Sequence, residues 1–153
     1  MAIIRAIRRF RPEIVICNGI EDRHPDHGRS SKLESDACFL SGLRKVETFW
    51  NEEPQQEWRP KVVYHYIQDR FIKPDFVIDI TPYWERKMAA IKAFKSQFFN
   101  PDASEPETYI SGENFLRFVE GRGLEMGHAI GVRYGEGFTV ERMLKVENLF
   151  DVI

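Results

Sequence analysis

Apolar residues in the first ten positions fall at Ile3, Ile4, Ile7 and Phe10, with arginines between them. An α-helix turns once in about 3.6 residues, so this spacing gathers the four on one side and predicts an amphipathic helix over Ala2–Phe10. No Ser, Thr, Asp or Asn cap precedes it, so it reads as the last turns of a helix. Beyond Pro12 the period changes. Ile14, Val15, Ile16 and Cys17 are apolar without alternation and stop at Asn18-Gly19, which suits a strand buried on both faces, as in parallel sheets. A polar stretch, GIEDRHPDHGRS, follows. Then Leu33, Ala37, Leu40 and Leu43 recur at steps of four and three and predict a second amphipathic helix. A Glu/Gln/Pro-rich surface connection leads to two more candidate strands, Val62–Ile67, rich in Val and Tyr, and Phe76–Ile80, nearly all apolar.

Thr81-Pro82 offers a cap and a favoured first helical residue, and Trp84, Met88, Ile91, Phe94 and Phe98 follow at helical steps. That stripe reads as core, because the spacing already accounts for it. Asn100-Pro101-Asp102 is expected to end this helix, and the acidic segment to Thr108 to form a mobile surface loop. A further helix is expected from Ser111 to Met126, weakened by Gly121 and Gly123. Gly131–Gly137 reads as a glycine-interrupted loop before a short apolar ending. Its Gly135-Glu136-Gly137 lacks the lysine and the context of a phosphate loop, and is expected to close one wall of a site. Strands alternating with helices imply an α/β domain over 1–153, a Rossmann-like, mostly parallel sheet with flanking helices. Such sheets bind ligands in loops at the carboxyl ends of their strands, where the His-Pro-Asp-His stretch falls.

Composition narrows the classes of function. The chain has 153 residues, 42% apolar and 30% charged, with 22 basic and 24 acidic side chains and a net charge of -2. Both signs are spread along the chain, so there is no electrostatic footprint for nucleic acid or an anionic membrane, and the expected partner is a small molecule or a protein. Cys17 and Cys38 sit in apolar contexts without Cys-x-x-Cys spacing, which favours free buried thiols and a cytoplasmic location. The N-terminus has no signal-peptide pattern, and no apolar run approaches the length of a membrane span.

The chemistry concentrates in Glu21, Asp22, Arg23, His24, Asp26 and His27. Neutral imidazoles are good zinc ligands, and a ligating His usually donates its other N–H to a carboxylate, so His24-Pro25-Asp26-His27 offers both ligand and orienter. The plainer alternative is a polar turn that opens a helix, with Asp26 or Ser30 as the cap. His65, among Val and Tyr, and His128 read as packed or surface histidines.

RFRPEIVICNGIEDRHPDHGRS resembles the second signature of the LmbE-like de-N-acetylase superfamily, which includes the GlcNAc-phosphatidylinositol de-N-acetylases, and VIDITPYWERKMAAIKAFKSQF resembles its helix ending in Ser-Gln-Phe. With the ending GHAIGVRYGEGF, the whole chain resembles most the branch that removes acetyl from N-acetylglucosaminyl-malate in bacillithiol synthesis. The resemblance implies a zinc-dependent amide hydrolase acting on an N-acetylglucosaminyl conjugate, and a homo-oligomer. It makes His27 a zinc ligand and His24 the group that stabilises the oxyanion or protonates the leaving amine. It lets Asp26 orient an imidazole and makes Tyr109 the nearest match to a loop tyrosine that assists the oxyanion. Arg23 could face an anionic group such as the malate carboxylates. Two further zinc ligands and the general base belong to an Ala-His-Pro-Asp-Asp motif that no residue here matches. The expectation is therefore an incomplete chain, with an open sheet edge beside Ile14–Cys17; the alternative is a non-catalytic truncated paralogue or interaction partner of the same fold.

Overall fold

The computed structural model describes residues 1–98, 106 and 108–152. In chain order the elements are α1 (Ala2–Phe10), β1 (Ile14–Cys17), α2 (Pro25–Ser41), β2 (Phe49–Trp50), β3 (Glu53–Pro54), β4 (Val62–Tyr66), β5 (Phe76–Asp79), a 3-10 turn (Thr81–Tyr83), α3 (Trp84–Ala93), α4 (Glu113–Ala129), β6 (Gly135–Val140) and a terminal 3-10 turn (Leu149–Val152). They form two units, Met1–Asp75 with Phe138–Ile153, and Phe76–Gly137. This is the expected α/β architecture, with a mixed sheet.

In the first unit, β1 and β4 run parallel, with Ile14 opposite Val62 and Cys17 opposite His65. The Phe138–Val140 part of β6 runs antiparallel to β4. Gly135–Gly137, the first half of β6, was expected to be the end of a loop, because the two glycines give it no apolar pattern. Helices α1 and α2 meet through Ile4, Ile7, Ala37 and Cys38, and Val15, Trp58 and Val63 pack against that cluster. Among the described residues, β1 is a sheet-edge strand hydrogen-bonded to β4 alone, and it is not buried on both faces as its composition suggested. Ile14 and Ile16 are 53% and 58% exposed, while Cys17 is buried.

Two helix faces differ from their sequence patterns. Phe10 is 75% exposed, and Arg8 is buried instead. The Arg8 guanidinium reaches the C-terminal end of α2, donating to the Ser41 and Leu43 carbonyls at 2.9 and 2.8 Å, to Val46 O and to Thr48 Oγ1. A cation there satisfies carbonyls that the helix leaves without partners. On α2, Leu33 and Leu40 are exposed, and Ser31, Ala37, Cys38 and Ser41 form the buried face. Small residues let α2 lie close to its neighbours, and the buried hydroxyls find partners: Ser41 Oγ donates to Cys38 O at 2.9 Å. The Glu/Gln/Pro-rich connection contains the β2–β3 hairpin, turned at Asn51 and Glu52 with φ of 49° and 70°.

In the second unit, Ile80, Trp84 and Tyr134 form the core, with Met88 and Val119 against it. Thr81 is not the cap the sequence suggested. Its hydroxyl accepts from Tyr134 N at 3.0 Å, and its own N–H donates to Asp79 Oδ1 at 2.8 Å. Helix α3 ends at Ala93 rather than continuing through Phe98, and Phe94 is exposed. Its expected stop at Asn100-Pro101-Asp102 lies outside the described residues, as does most of the acidic segment. The α4 helix forms as expected, but its glycines serve packing. A Cβ on Gly123 would lie 2.7 Å from Trp84 Cζ3, and one on Gly127 would lie 2.6 Å from Arg133 O; Gly121 has open space around it. The Trp84 ring stacks on Tyr134 at 4.0 Å. Among the described residues, no helix is long and apolar enough to cross a membrane.

Candidate functional site

The ionisable stretch is a turn at the carboxyl end of β1, running directly into α2. Helix α2 begins at Pro25, whose ring suits a first helical position, and His24 is the N-cap in extended conformation, φ −82°. His24 Nδ1 accepts from Asp26 N at 3.2 Å. The cap is therefore His24 rather than Asp26 or Ser30. Accepting at Nδ1 places the proton of the neutral ring on Nε2, so His24 presents a donor away from the helix. The His24 and His27 rings lie 5.1 Å apart, one helical turn bringing them together.

Asp22 fixes His27. Its Oδ2 pairs with His27 Nδ1, and its Oδ1 accepts from the backbone N–H groups of Asp69 and Arg70 at 2.9 and 3.0 Å. Burial alone would push this carboxyl up, but the hydrogen bonds from His27 and from the backbone outweigh it and hold Asp22 below the ordinary carboxylate value. With Nδ1–H committed to a carboxylate, the lone pair of His27 sits on Nε2, the arrangement that prepares a metal-ligating imidazole. The side chain remains about one-third exposed, at 32%. The carboxylate that orients an imidazole is thus Asp22. Asp26 is exposed, 3.6 Å from Arg29 Nη1 and 3.9 Å from His24 Nδ1.

The loop after β4 supplies what single-sequence reading did not assign. Its Asp69 and Arg70 N–H groups seat Asp22, the Asp69 carboxylate takes Arg23 Nε at 3.2 Å, and Arg70 Nη1 donates to Glu21 at 2.9 Å. Only the position of Asp69-Arg70 just past an apolar strand hinted at this, since loops at the ends of parallel strands meet. Asn18 anchors the other side of the turn. Its backbone N–H and Nδ2 donate to Glu34 at 2.9 and 3.0 Å, and Tyr66 donates to its Oδ1 at 2.6 Å. His65 is packed as anticipated: it is buried, with Nδ1 2.9 Å from Ser31 Oγ and 2.8 Å from Asn18 O, and Nε2 3.0 Å from Glu141. His128 is exposed in the last turn of α4. Tyr109 belongs to the second unit, where its ring meets Phe115 edge-on at 5.6 Å. Gly135-Glu136-Gly137 begins β6, with Glu136 paired to Lys87.

A catalytic zinc site takes three protein ligands and leaves a position open. Among the described residues, no group of three or more His, Cys, Asp or Glu side chains could hold a metal ion. The Asp22 carboxylate stands behind the His27 imidazole, at Nδ1, rather than beside Nε2. The residues present do not make a zinc site by themselves.

No family model matches the chain. Solved structures do. The conserved protein TT1542 from Thermus thermophilus is 27% identical with a TM-score of 0.79, over 95% of this chain and 60% of that one. The N,N'-diacetylchitobiose deacetylase from Pyrococcus horikoshii, complexed with an inhibitor, is 24% identical with a TM-score of 0.71, over 99% and 55%. GalB, the 4-carboxy-2-hydroxymuconate hydratase from Pseudomonas putida, is 21% identical with a TM-score of 0.69, over 97% and 60%. The chain spans 55–60% of the length of these proteins. It shares with them an α/β fold that carries a deacetylase in one case and a hydratase in another.

Proposed function

We propose that this chain carries part of the active site of an LmbE-like, zinc-dependent N-deacetylase acting on an N-acetylglucosaminyl conjugate such as N-acetylglucosaminyl-malate, in bacillithiol synthesis in the cytoplasm. The observation that supports it best is the Asp22–His27 pair, which holds one imidazole with Nε2 open at the carboxyl end of a parallel strand. A neighbour in fold that is a diacetylchitobiose deacetylase agrees with the reading. Zinc, when bound, would supply Lewis acidity and an activated water. The remaining ligands and the general base would come from polypeptide outside these 153 residues.

The chain's own residues would do three things. Asp22 holds His27 in one tautomer and one orientation. His24, next to it, presents Nε2–H to the oxygen on which charge develops, or passes a proton to the departing amine. Arg23, held by Asp69, places a cation at the rim of the turn, where a carboxylate of the aglycone could pair with it. Tyr109 is proposed to assist the oxyanion, and the working protein to be a homo-oligomer.

The test is amine release from N-acetylglucosaminyl-malate by the protein as expressed from its gene, with and without His24→Ala. The reading expects turnover that falls about 100-fold or more in the variant, the usual scale for a lost acid–base or oxyanion group. Absence of amine release from this and other N-acetylhexosamine conjugates would favour a non-catalytic member of the same fold.

A further inference from the structure

His65 is buried on β4, beside Cys17 of β1 in the register, and both of its ring nitrogens face oxygen. Nδ1 lies 2.8 Å from the Asn18 carbonyl oxygen and 2.9 Å from Ser31 Oγ of α2, and Nε2 lies 3.0 Å from a carboxylate oxygen of Glu141, the residue after β6. A backbone carbonyl and a carboxylate can only accept. Each neutral form of the ring would therefore set a bare nitrogen against an acceptor. Without the Nδ1 proton, the Asn18 oxygen meets a lone pair at 2.8 Å, even where Ser31 donates to the ring. Without the Nε2 proton, Glu141 meets one at 3.0 Å. A ring that holds both protons satisfies both oxygens, and Ser31 Oγ can share the Nδ1–H. Its charge has a counter-ion in place: among the described residues, the ion pair of Glu141 is the one to His65. A buried charge persists when it is paired and hydrogen-bonded, as here. Asn18 is thereby held from two sides, its N–H by Glu34 at 2.9 Å and its carbonyl by His65.

We propose that His65 carries both ring protons and is a positioning residue of the His24–His27 turn, fixing the chain at Asn18 where it leaves β1. The two N–H groups have separate tasks. Nδ1–H holds the Asn18 carbonyl, and with it the start of the turn that carries Asp22, His24 and His27. Nε2–H meets Glu141, which supplies the compensating charge and ties β4 to the residue that follows β6. The inference rests on the deacetylase reading in one respect, that this turn is the reacting site. The two protons and the hold on Asn18 are properties of the folded chain and are read without substrate.

The protein as expressed from its gene, grown with isotope-labelled histidine, is studied by nitrogen NMR of the imidazoles at about pH 7.5, where a free imidazole is mostly neutral. The His65 signals are those that move in Glu141→Gln. Both nitrogens are expected to carry a proton in the wild type. In Glu141→Gln, whose amide can donate to Nε2, the ring is expected to keep the Nδ1 proton alone. A bare nitrogen at either position in the wild type, including one left by a proton residing on Glu141 instead, would overturn the proposal, as would two protons in Glu141→Gln. The hold on Asn18 is read by hydrogen exchange at its backbone N–H, relative to the amides of α1. His65→Asn places an amide donor where Nδ1 stands and should leave that exchange within about twofold of wild type, whereas His65→Gln places it where Nε2 stands and should speed it about tenfold, the scale of one lost hydrogen bond. Equal exchange in the two variants would show that His65 fills space without positioning the turn, and would overturn that role.

Discussion

The turn between β1 and α2 and the glycine face of α4 are held by opposite means. The turn is an assembly of long-range polar contacts. Asp22 is seated on backbone N–H groups of the β4 loop, Asn18 is gripped by Glu34 and Tyr66, and the imidazoles remain partly open to solvent. The α4 face is an assembly of absences, where Gly123 leaves room for Trp84 and Gly127 for the backbone of Arg133 and Tyr134. Polar contacts orient a group and can be lost while the fold persists. Close backbone approach admits no extra atom, so a single methyl tests it as stability rather than as chemistry.

The largest expected effect lies on the glycine face. In Gly127→Ala the new Cβ would meet backbone atoms at 2.6 to 2.8 Å, and backbone cannot turn aside as a side chain can. A loss of about 3 kcal/mol is expected in denaturant unfolding, at the upper end for overpacking. A loss under about 0.5 kcal/mol, the scale of a surface substitution, would break the contrast.

If the protein expressed from its gene binds zinc through His27 as proposed, Asp22→Asn should weaken that binding about 10- to 100-fold, the range for removing a carboxylate behind a ligating imidazole. It should also change the acid limb of stability. Asp22 in the folded chain lies below its ordinary value, so its contribution is present above the unfolded value, about 3.9, and is lost as pH falls through the folded value. The variant should show a flatter decline below about pH 4. An unchanged acid limb would mean that the His27 and backbone bonds do not favour the ionised form. The smallest effect sharpens the comparison from the other side: Gly121→Ala, two residues from Gly123 but with open space around it, should raise stability by up to about 1 kcal/mol through helix propensity. A destabilisation there would show that helix glycines in this unit matter beyond the close contacts.

Much of this was legible in the sequence. Local periodicity located α1, β1, α2, β4, β5 and α4, and the density of ionisable groups marked the turn. Where reading failed, the cause was tertiary. Arg8 looked like a solvated arginine until the end of α2 appeared beside it, and Leu33 and Leu40 looked buried although the small residues of α2 face inward. Gly135 and Gly137 looked like loop, yet they lie in β6 where a side chain on Gly135 would strike Val77 and α4. Within the turn, type and spacing singled out His24 and His27, and the structure brings their rings to 5.1 Å. Asp22 was passed over as orienter in favour of Asp26, because sequence proximity cannot show which carboxylate has its second oxygen seated on another loop.

The measurement that tests the central claim most directly is zinc per chain, by atomic absorption, in the protein as expressed from its gene. Three forms are compared: wild type, His27→Ala and His24→Ala. A prepared ligand at His27 Nε2 and a donor at His24 predict that zinc disappears with His27→Ala and is retained with His24→Ala. Zinc retained without His27, or lost equally in both variants, would contradict the account.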